Sequence, residues 1–192
     1  MIVVNHILFL LVKQIIQLRD LKSLQSAIKS AKNIAGNNLN DDNTTYALFI
    51  KSEIMKYNLQ NNIQFLGVIS EEIMCEYYKK CNVFVSPSVI ENSPNSICEA
   101  AMIGIPIVAS YVGGVPSLIT HEEEGYLYSS DEFYMMAHYV CEIFENKSKI
   151  CERVSKNSVQ KMLKINDINT NSEKNLEIYR MILEKNWIIK DK

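Results

Sequence analysis

V-F-V-S-P-S-V-I-E-N-S-P-N-S-I-C-E-A-A-M-I-G-I-P-I-V-A, residues 83–109, sets two short apolar runs around a polar loop and a helical stretch. The flanking runs are too short for helices and rich in Val, Ile and Phe, which predicts strands over 82–86 and 105–109. Between them the spacing predicts a helix over about 95–103, so the unit reads strand, helix, strand. The loop and the helix start carry two glutamates, Glu91 and Glu99, eight positions apart.

The same alternation extends outward. A strand is expected at 63–66 and a helix at 70–80, with Ser70 as N-cap and Glu71 and Glu72 in the first turn. The resulting βαβαβ order implies a parallel, Rossmann-like sheet with helices on both faces. C-terminal to it come Gly113-Gly114, a short helix opening at Pro116, a turn at Glu122–Gly125 and an edge strand at Tyr126–Tyr128. Helices are expected over 131–145, 147–163 and 171–185. The first 60 residues are less regular. Leu21–Ala31 and Tyr46–Tyr57 read as helices, and Asn37–Thr45 as a polar loop.

At 192 residues and 47% hydrophobic composition, the chain suits one generous domain. A formal charge of -2 and a pI near 6.0 give no basic field for nucleic acid or an acidic membrane. Five cysteines with no C-x-x-C pair read as reduced thiols rather than a disulfide framework or metal site. The apolar start, Ile2–Val12, is broken by Asn5 and His6 and falls short of the roughly 20 residues that cross a bilayer. A buried strand is expected there, in a cytoplasmic chain that begins inside a fold without a signal peptide or transmembrane segment. His121, His138, the tyrosines and Trp187 read as structural residues.

A loop followed by a helix starting near Asn95 creates a ligand corner. The first helical turn leaves backbone N–H groups unpaired at the positive end of the helix dipole, which suits a phosphate. Asn95, Ser96 and Ile97 would supply those amides. Glu99, one turn in, leans back toward the same end and suits a vicinal diol such as a ribose, while Glu91 would face the other end of the ligand. A plainer reading stays open: Ser96-Ile97-Cys98-Glu99 is also a capping box, with Ser96 as N-cap, and needs no ligand. Gly113-Gly114 would then be only a tight turn.

The ordered set of features resembles the nucleotide-sugar-binding, C-terminal half of GT-B glycosyltransferases, in particular retaining family 4 (glycosyl transferases group 1) of the polysaccharide-biosynthesis type. The likeness runs over residues 83–119, with N-I-Q-F-L-G-V-I-S at 62–70 before it and E-G-Y-L-Y at 124–128 after it. Its core is the E-x7-E element, a Gly-x-Pro strand and Gly-Gly-x-Pro. The resemblance implies that Glu91 lies beside the donor sugar as the catalytic residue and that Glu99 holds the ribose hydroxyls. It further implies that the amides of Asn95, Ser96 and Ile97 bind the diphosphate, that Gly67, Val68 and Ile69 flank the base, and that Gly113 and Gly114 line the donor pocket. Lys22 is the candidate cation for the diphosphate, with Arg19 only loosely matched. Pro94-Asn95 replaces the family's aromatic-Gly pair, and Ser117 replaces an acid. Ile34-Ala35-Gly36 resembles the end of a family strand, yet follows the preceding helix directly, so the sheet is expected to be short by one strand or rearranged near its start.

Residues 1–165 are thus read as a Rossmann-like nucleotide-sugar-binding domain, with 1–45 atypical or truncated, and 166–192 as a C-terminal helix and tail. The expected activity is transfer of a sugar from a UDP- or GDP-linked donor to an acceptor with retention, in surface or capsular polysaccharide assembly, without a cofactor or metal. The resemblance covers only the family's C-terminal half, so the N-terminal domain is expected to be absent, and the alternative is a non-catalytic nucleotide-sugar-binding chain that needs a partner chain or homo-oligomer. A nucleotide-sugar epimerase is the third reading. The chain would be cytoplasmic or peripheral at the inner membrane face.

Overall fold

The computed structural model describes residues 2–3, 33–35, 45–56, 58–61, 63–145 and 149–184. Lys22, Arg19, Trp187 and the helix expected over Leu21–Ala31 lie outside them. Among the described residues six strands form one parallel sheet: β1 (Ile2–Val3), β2 (Asn33–Ala35), β3 (Gln64–Gly67), β4 (Phe84–Ser86), β5 (Ile107–Ser110) and β6 (Tyr126–Tyr128). Their spatial order is β3-β2-β1-β4-β5-β6, the order of doubly wound nucleotide-binding sheets. The strand that the sequence leaves in doubt is present as β2, only three residues long, paired to β1 through Ile2 and Ile34 and to β3 through Ile34 and Phe65.

Alternation along the central strands sends side chains to two separate cores, because successive residues of a strand point to opposite faces. Val83, Val85, Val108, Tyr126 and Tyr128 enter one core with Ala47, Ile50 and Ile54 of α1 (Thr45–Lys56) and Met136 and Ile143 of α5 (Phe133–Glu145). Phe84, Ile107, Ala109 and Leu127 enter the other. There they meet Tyr78 of α2 (Glu71–Lys80), Ile97, Ala100 and Ala101 of α3 (Asn95–Ile103), Val115 and Leu118 of α4 (Val115–Leu118) and Met162 of α6 (Lys149–Ile165).

Local chemistry sets the helix ends. Ser70 caps α2, its hydroxyl accepting from the Ile73 amide at 3.5 Å, with Glu71 and Glu72 in the first turn and Lys79 and Lys80 in the last. Gly104 ends α3 at φ +80°, where the amides of Gly104 and Ile105 return to the carbonyls of Ala101 and Ala100. A Cβ there would come within 3.3 Å of Val159 on α6, so the turn is also a packing contact between the two helices.

The last helix, α7 (Ile168–Glu184), differs from the others. Its residues 168–183 are all exposed, including Leu176, Tyr179 and Leu183 on one face. Phe84→Ala is expected to cost about 3–5 kcal/mol in urea unfolding by opening a cavity between α2 and the sheet. Leu183→Ala is expected to change stability by no more than about 0.5 kcal/mol; equal losses would contradict the burial pattern.

Candidate functional site

Chain direction across the sheet reverses between the neighbouring strands β1 and β4, since β1 leads toward β2 and β3 while β4 leads toward β5 and β6. Ligands of open α/β sheets bind outside the carboxyl ends of the strands at such a switch point. The segment leaving β4 there, residues 87–94, ends at the start of α3. Both Glu91 and the Asn95 amide therefore belong to the corner that the fold favours for a ligand.

The N-terminus of α3 is open in a specific way. Pro94 is the N-cap at ψ 112° and makes no side-chain cap. The Ile97 amide donates to the Pro94 carbonyl at 3.2 Å, whereas the Asn95 and Ser96 amides have no acceptor among the described residues. No acidic residue occupies the first turn, so the partial positive charge of the helix end is not neutralised from within. The capping-box reading does not match this geometry. The helix starts one residue before Ser96, which places Ser96 inside the first turn, and Glu99 turns to another partner. Of the three amides implied by the resemblance, Asn95 and Ser96 are free, while Ile97 is engaged and its side chain is wholly buried.

Glu99 is held from α2. The Tyr78 hydroxyl donates to Glu99 Oε2 at 3.1 Å and lies 3.5 Å from the Ser96 carbonyl. The Tyr78 ring is buried against Phe84, with ring centroids 5.9 Å apart. Burial first, and then the neighbouring Glu99 carboxylate, push the Tyr78 phenol well above its ordinary pKa. It therefore stays a proton donor throughout the neutral range.

Glu91 is held by its own loop. The Ser88 hydroxyl donates to Glu91 Oε2 at 3.2 Å, and the Asn92 amide to Oε1 at 3.2 Å. Ser110, at the end of β5 and 1% exposed, donates its hydroxyl to the Ser88 carbonyl. The loop after β5 presses on the same backbone. A Cβ on Gly113, whose φ is +50°, would fall 1.6 Å from the Glu91 carbonyl oxygen; one on Gly114 would fall 2.1 Å from that of Asn92. The Gly114 amide donates to the Asn92 carbonyl at 2.7 Å. Gly113-Gly114 is thus more than a tight turn: it is where two backbones meet without room for a side chain.

On the far side of the switch point, Gly67 ends β3 at φ +65° and is buried, followed by Val68, 93% exposed, and half-buried Ile69. Two intervening strands place this loop roughly 14 Å from the end of β4, at 4.7–4.9 Å per strand. An elongated ligand across the carboxyl edge would touch both. Among the described residues, no group of three or more His, Cys, Asp or Glu side chains converges as a metal site. None of their helices is long and apolar enough to cross a membrane.

Fold and corner together define a doubly wound α/β domain with an anion-ready helix end between two carboxylates. The family model described as "Glycosyl transferases group 1" matches residues 10–161; the chain belongs to this family. Curated relatives include the 2-deoxystreptamine N-acetyl-D-glucosaminyltransferase of Niallia circulans, 30% identical over 52% of this chain and 25% of its own length. Another is the amylovoran biosynthesis glycosyltransferase AmsK of Erwinia amylovora, 23% identical over 53% of this chain and 26% of its own length. Among solved structures, the C-terminal domain of a group 1 family glycosyl transferase (LpcC) from Francisella tularensis superposes with a TM-score of 0.67 at 16% identity, covering 86% of this chain and 83% of that one. Anabaena HepE in complex with UDP-glucose gives 0.63 at 22% identity, covering 76% of this chain and 40% of that one. The chain matches only about a quarter of the length of the two curated relatives. The family and the GT-B fold are thereby established, with relatives in polysaccharide biosynthesis.

Sequence reasoning missed Tyr78, Ser88 and Ser110. Ser88 lies three residues before Glu91, a spacing at which a hydroxyl reaches a side chain across a turn, so that signal was present. Tyr78 and Ser110 reach the loop only through tertiary packing. His121 and His138, far apart in the chain, both contact the ring of Tyr139, and the Leu127 amide donates to His121 Nδ1 at 3.0 Å. Gly113→Ala and Gly114→Ala are each expected to lower stability by roughly 1–3 kcal/mol in thermal unfolding, because the Glu91 loop must move. Unchanged stability in both would contradict the close approach.

Proposed function

We propose that this chain is the donor-binding half of a retaining glycosyltransferase that takes a UDP- or GDP-linked sugar. In the reaction, the bond from the anomeric carbon to the diphosphate oxygen breaks and an acceptor hydroxyl oxygen bonds to that carbon with the same configuration, its proton passing to the departing nucleoside diphosphate. The observation that carries the reading is the pair of free amides at Asn95 and Ser96, set between Glu99 and Glu91 at the switch point of the sheet. The diphosphate rests on those amides, with Lys22 as the family-implied cation. The ribose diol meets Glu99, the base meets the Gly67–Ile69 loop, and Glu91 lies beside the sugar. Leaving-group charge is then met by preorganised dipoles, which are worth most in a site shielded from water, and no metal or cofactor is needed. The names of relatives such as AmsK support a place in surface or capsular polysaccharide assembly, carried out in the cytoplasm or at the inner face of the membrane.

A second reading, a binding chain that is active only with a partner chain or a second copy, is favoured by specific observations. Residues 168–183 of helix α7 are all exposed, and Val68, Ile90 and Tyr111 stand exposed on the loops at the carboxyl edge. The isolated chain is therefore expected to bind nucleoside diphosphates weakly and to transfer little sugar; robust transfer by the purified chain would contradict this.

Calorimetric titration with UDP, GDP and their sugars tests the site. Glu99→Ala is expected to weaken every nucleotide of the preferred base alike, by roughly tenfold. Glu91→Ala is expected to spare the free diphosphates and weaken only the nucleotide sugars. Unchanged affinity in Glu99→Ala would remove the ribose assignment.

A further inference from the structure

We propose that Tyr78 is a positioning residue: its hydroxyl holds the Glu99 carboxylate in the orientation that accepts a vicinal diol, so that the site selects ribonucleoside diphosphates over analogues lacking that diol. This rests on the reading that Glu99 meets the ribose.

Three observations carry it. The bond joins two elements, Tyr78 on α2 and Glu99 on α3, and it is the single side-chain hydrogen bond to the Glu99 carboxylate among the described residues. The donor is rigid, since the Tyr78 ring is 2% exposed and packed on Phe84 of β4, whereas Glu99 is exposed at the surface of its helix. The bond also leaves capacity to spare. A carboxylate offers about four lone-pair sites, so one used by Tyr78 leaves Oε1 and the rest of Oε2 for two diol hydroxyls.

An unrestrained glutamate on an exposed helix face samples several rotamers and must be ordered when ligand arrives. One already held by a buried phenol has been ordered by folding, which removes that cost from binding. Burial and the Glu99 charge keep the Tyr78 proton in place well above neutrality, so the arrangement should not change across the neutral pH range. A purely structural tyrosine would need an acceptor for its buried hydroxyl and nothing more.

The test uses the full chain, titrated with UDP, GDP and their 2′,3′-dideoxy counterparts. The wild type is expected to prefer the ribonucleotide of its favoured base. Tyr78→Phe, which keeps the ring, is expected to lose about fivefold to tenfold in affinity for that ribonucleotide and nothing for the dideoxy form. In a Glu99→Ala background, Tyr78→Phe should add no further loss, as coupled partners require. The proposal is overturned if Tyr78→Phe binds the ribonucleotide like the wild type while Glu99→Ala is weakened, or if it weakens both forms equally. Wild-type affinity in Glu99→Ala removes the ribose assignment on which the proposal rests, and no diphosphate binding at all sinks the donor-site reading itself. Should Tyr78→Phe fail to fold, tyrosine 13Cζ spectra of the wild type decide. The resonance that moves in Glu99→Ala should respond to the ribonucleotide and not to the dideoxy form, and equal responses would overturn the proposal.

Discussion

A contact between two backbones, closer than any side chain permits, organises the carboxyl edge of this sheet. Gly113 and Gly114 lie directly against the carbonyls of Glu91 and Asn92, and the Gly114 amide bonds to the Asn92 oxygen at 2.7 Å. Ser110 adds a buried hydroxyl to the Ser88 carbonyl of the same loop. The loop after β4 is thereby fixed to the end of β5. Fixing it sets the Glu91 carboxylate and also the direction in which the chain enters α3. The open amides at the α3 N-terminus and the placement of Glu99 one turn later both follow from that entry.

Packing holds the helix in the required place. Ile97, Ala100 and Ala101 are wholly buried, and the two alanines let α3 approach the sheet and α6 closely. Ser158 of α6 reaches the Ala101 carbonyl at 3.4 Å. With its inner face locked and its N-terminus uncapped by any side chain, α3 presents dipoles that need not reorganise when charge arrives, the arrangement that makes electrostatic stabilisation effective. Tyr78 extends the same rigidity from α2 to Glu99, so neighbouring helices contribute one group each to a single corner.

Much of this was legible in the residues. The alternation of apolar runs with helical periods from Gln64 to Ser110 predicted the parallel sheet and its two helical faces, since period two and period 3.6 are read directly from spacing. The helix over 95–103 has the bounds that the pattern predicted. β2 was obscured because Asn33–Ala35 follows the expected helix directly, with no loop and apolar run to set it apart, and only pairing on both sides makes it a strand. The capping-box alternative fails for a local reason. Ser is a preferred N-cap, but Pro94 takes that position, and the helix starts two residues before the point that a Ser96 cap would set. The link from Tyr78 to Glu99 spans 21 positions and exists only through the packing of α2 on β4, which no local pattern encodes. The close approach at Gly113 is of the same kind: a pair of glycines shows conformational freedom, whereas the facing backbone becomes visible only in three dimensions.

The central claim is that the α3 N-terminus receives a diphosphate. It is tested most directly by following backbone amide resonances of the 15N-labelled chain during titration with UDP and GDP. The account predicts that the Asn95 and Ser96 amides shift most, with smaller movements at Glu99 and in the Gly67–Ile69 loop, while β6 and α7 stay unchanged. Saturable binding that leaves Asn95 and Ser96 unmoved, with shifts confined to another part of the surface, would contradict it.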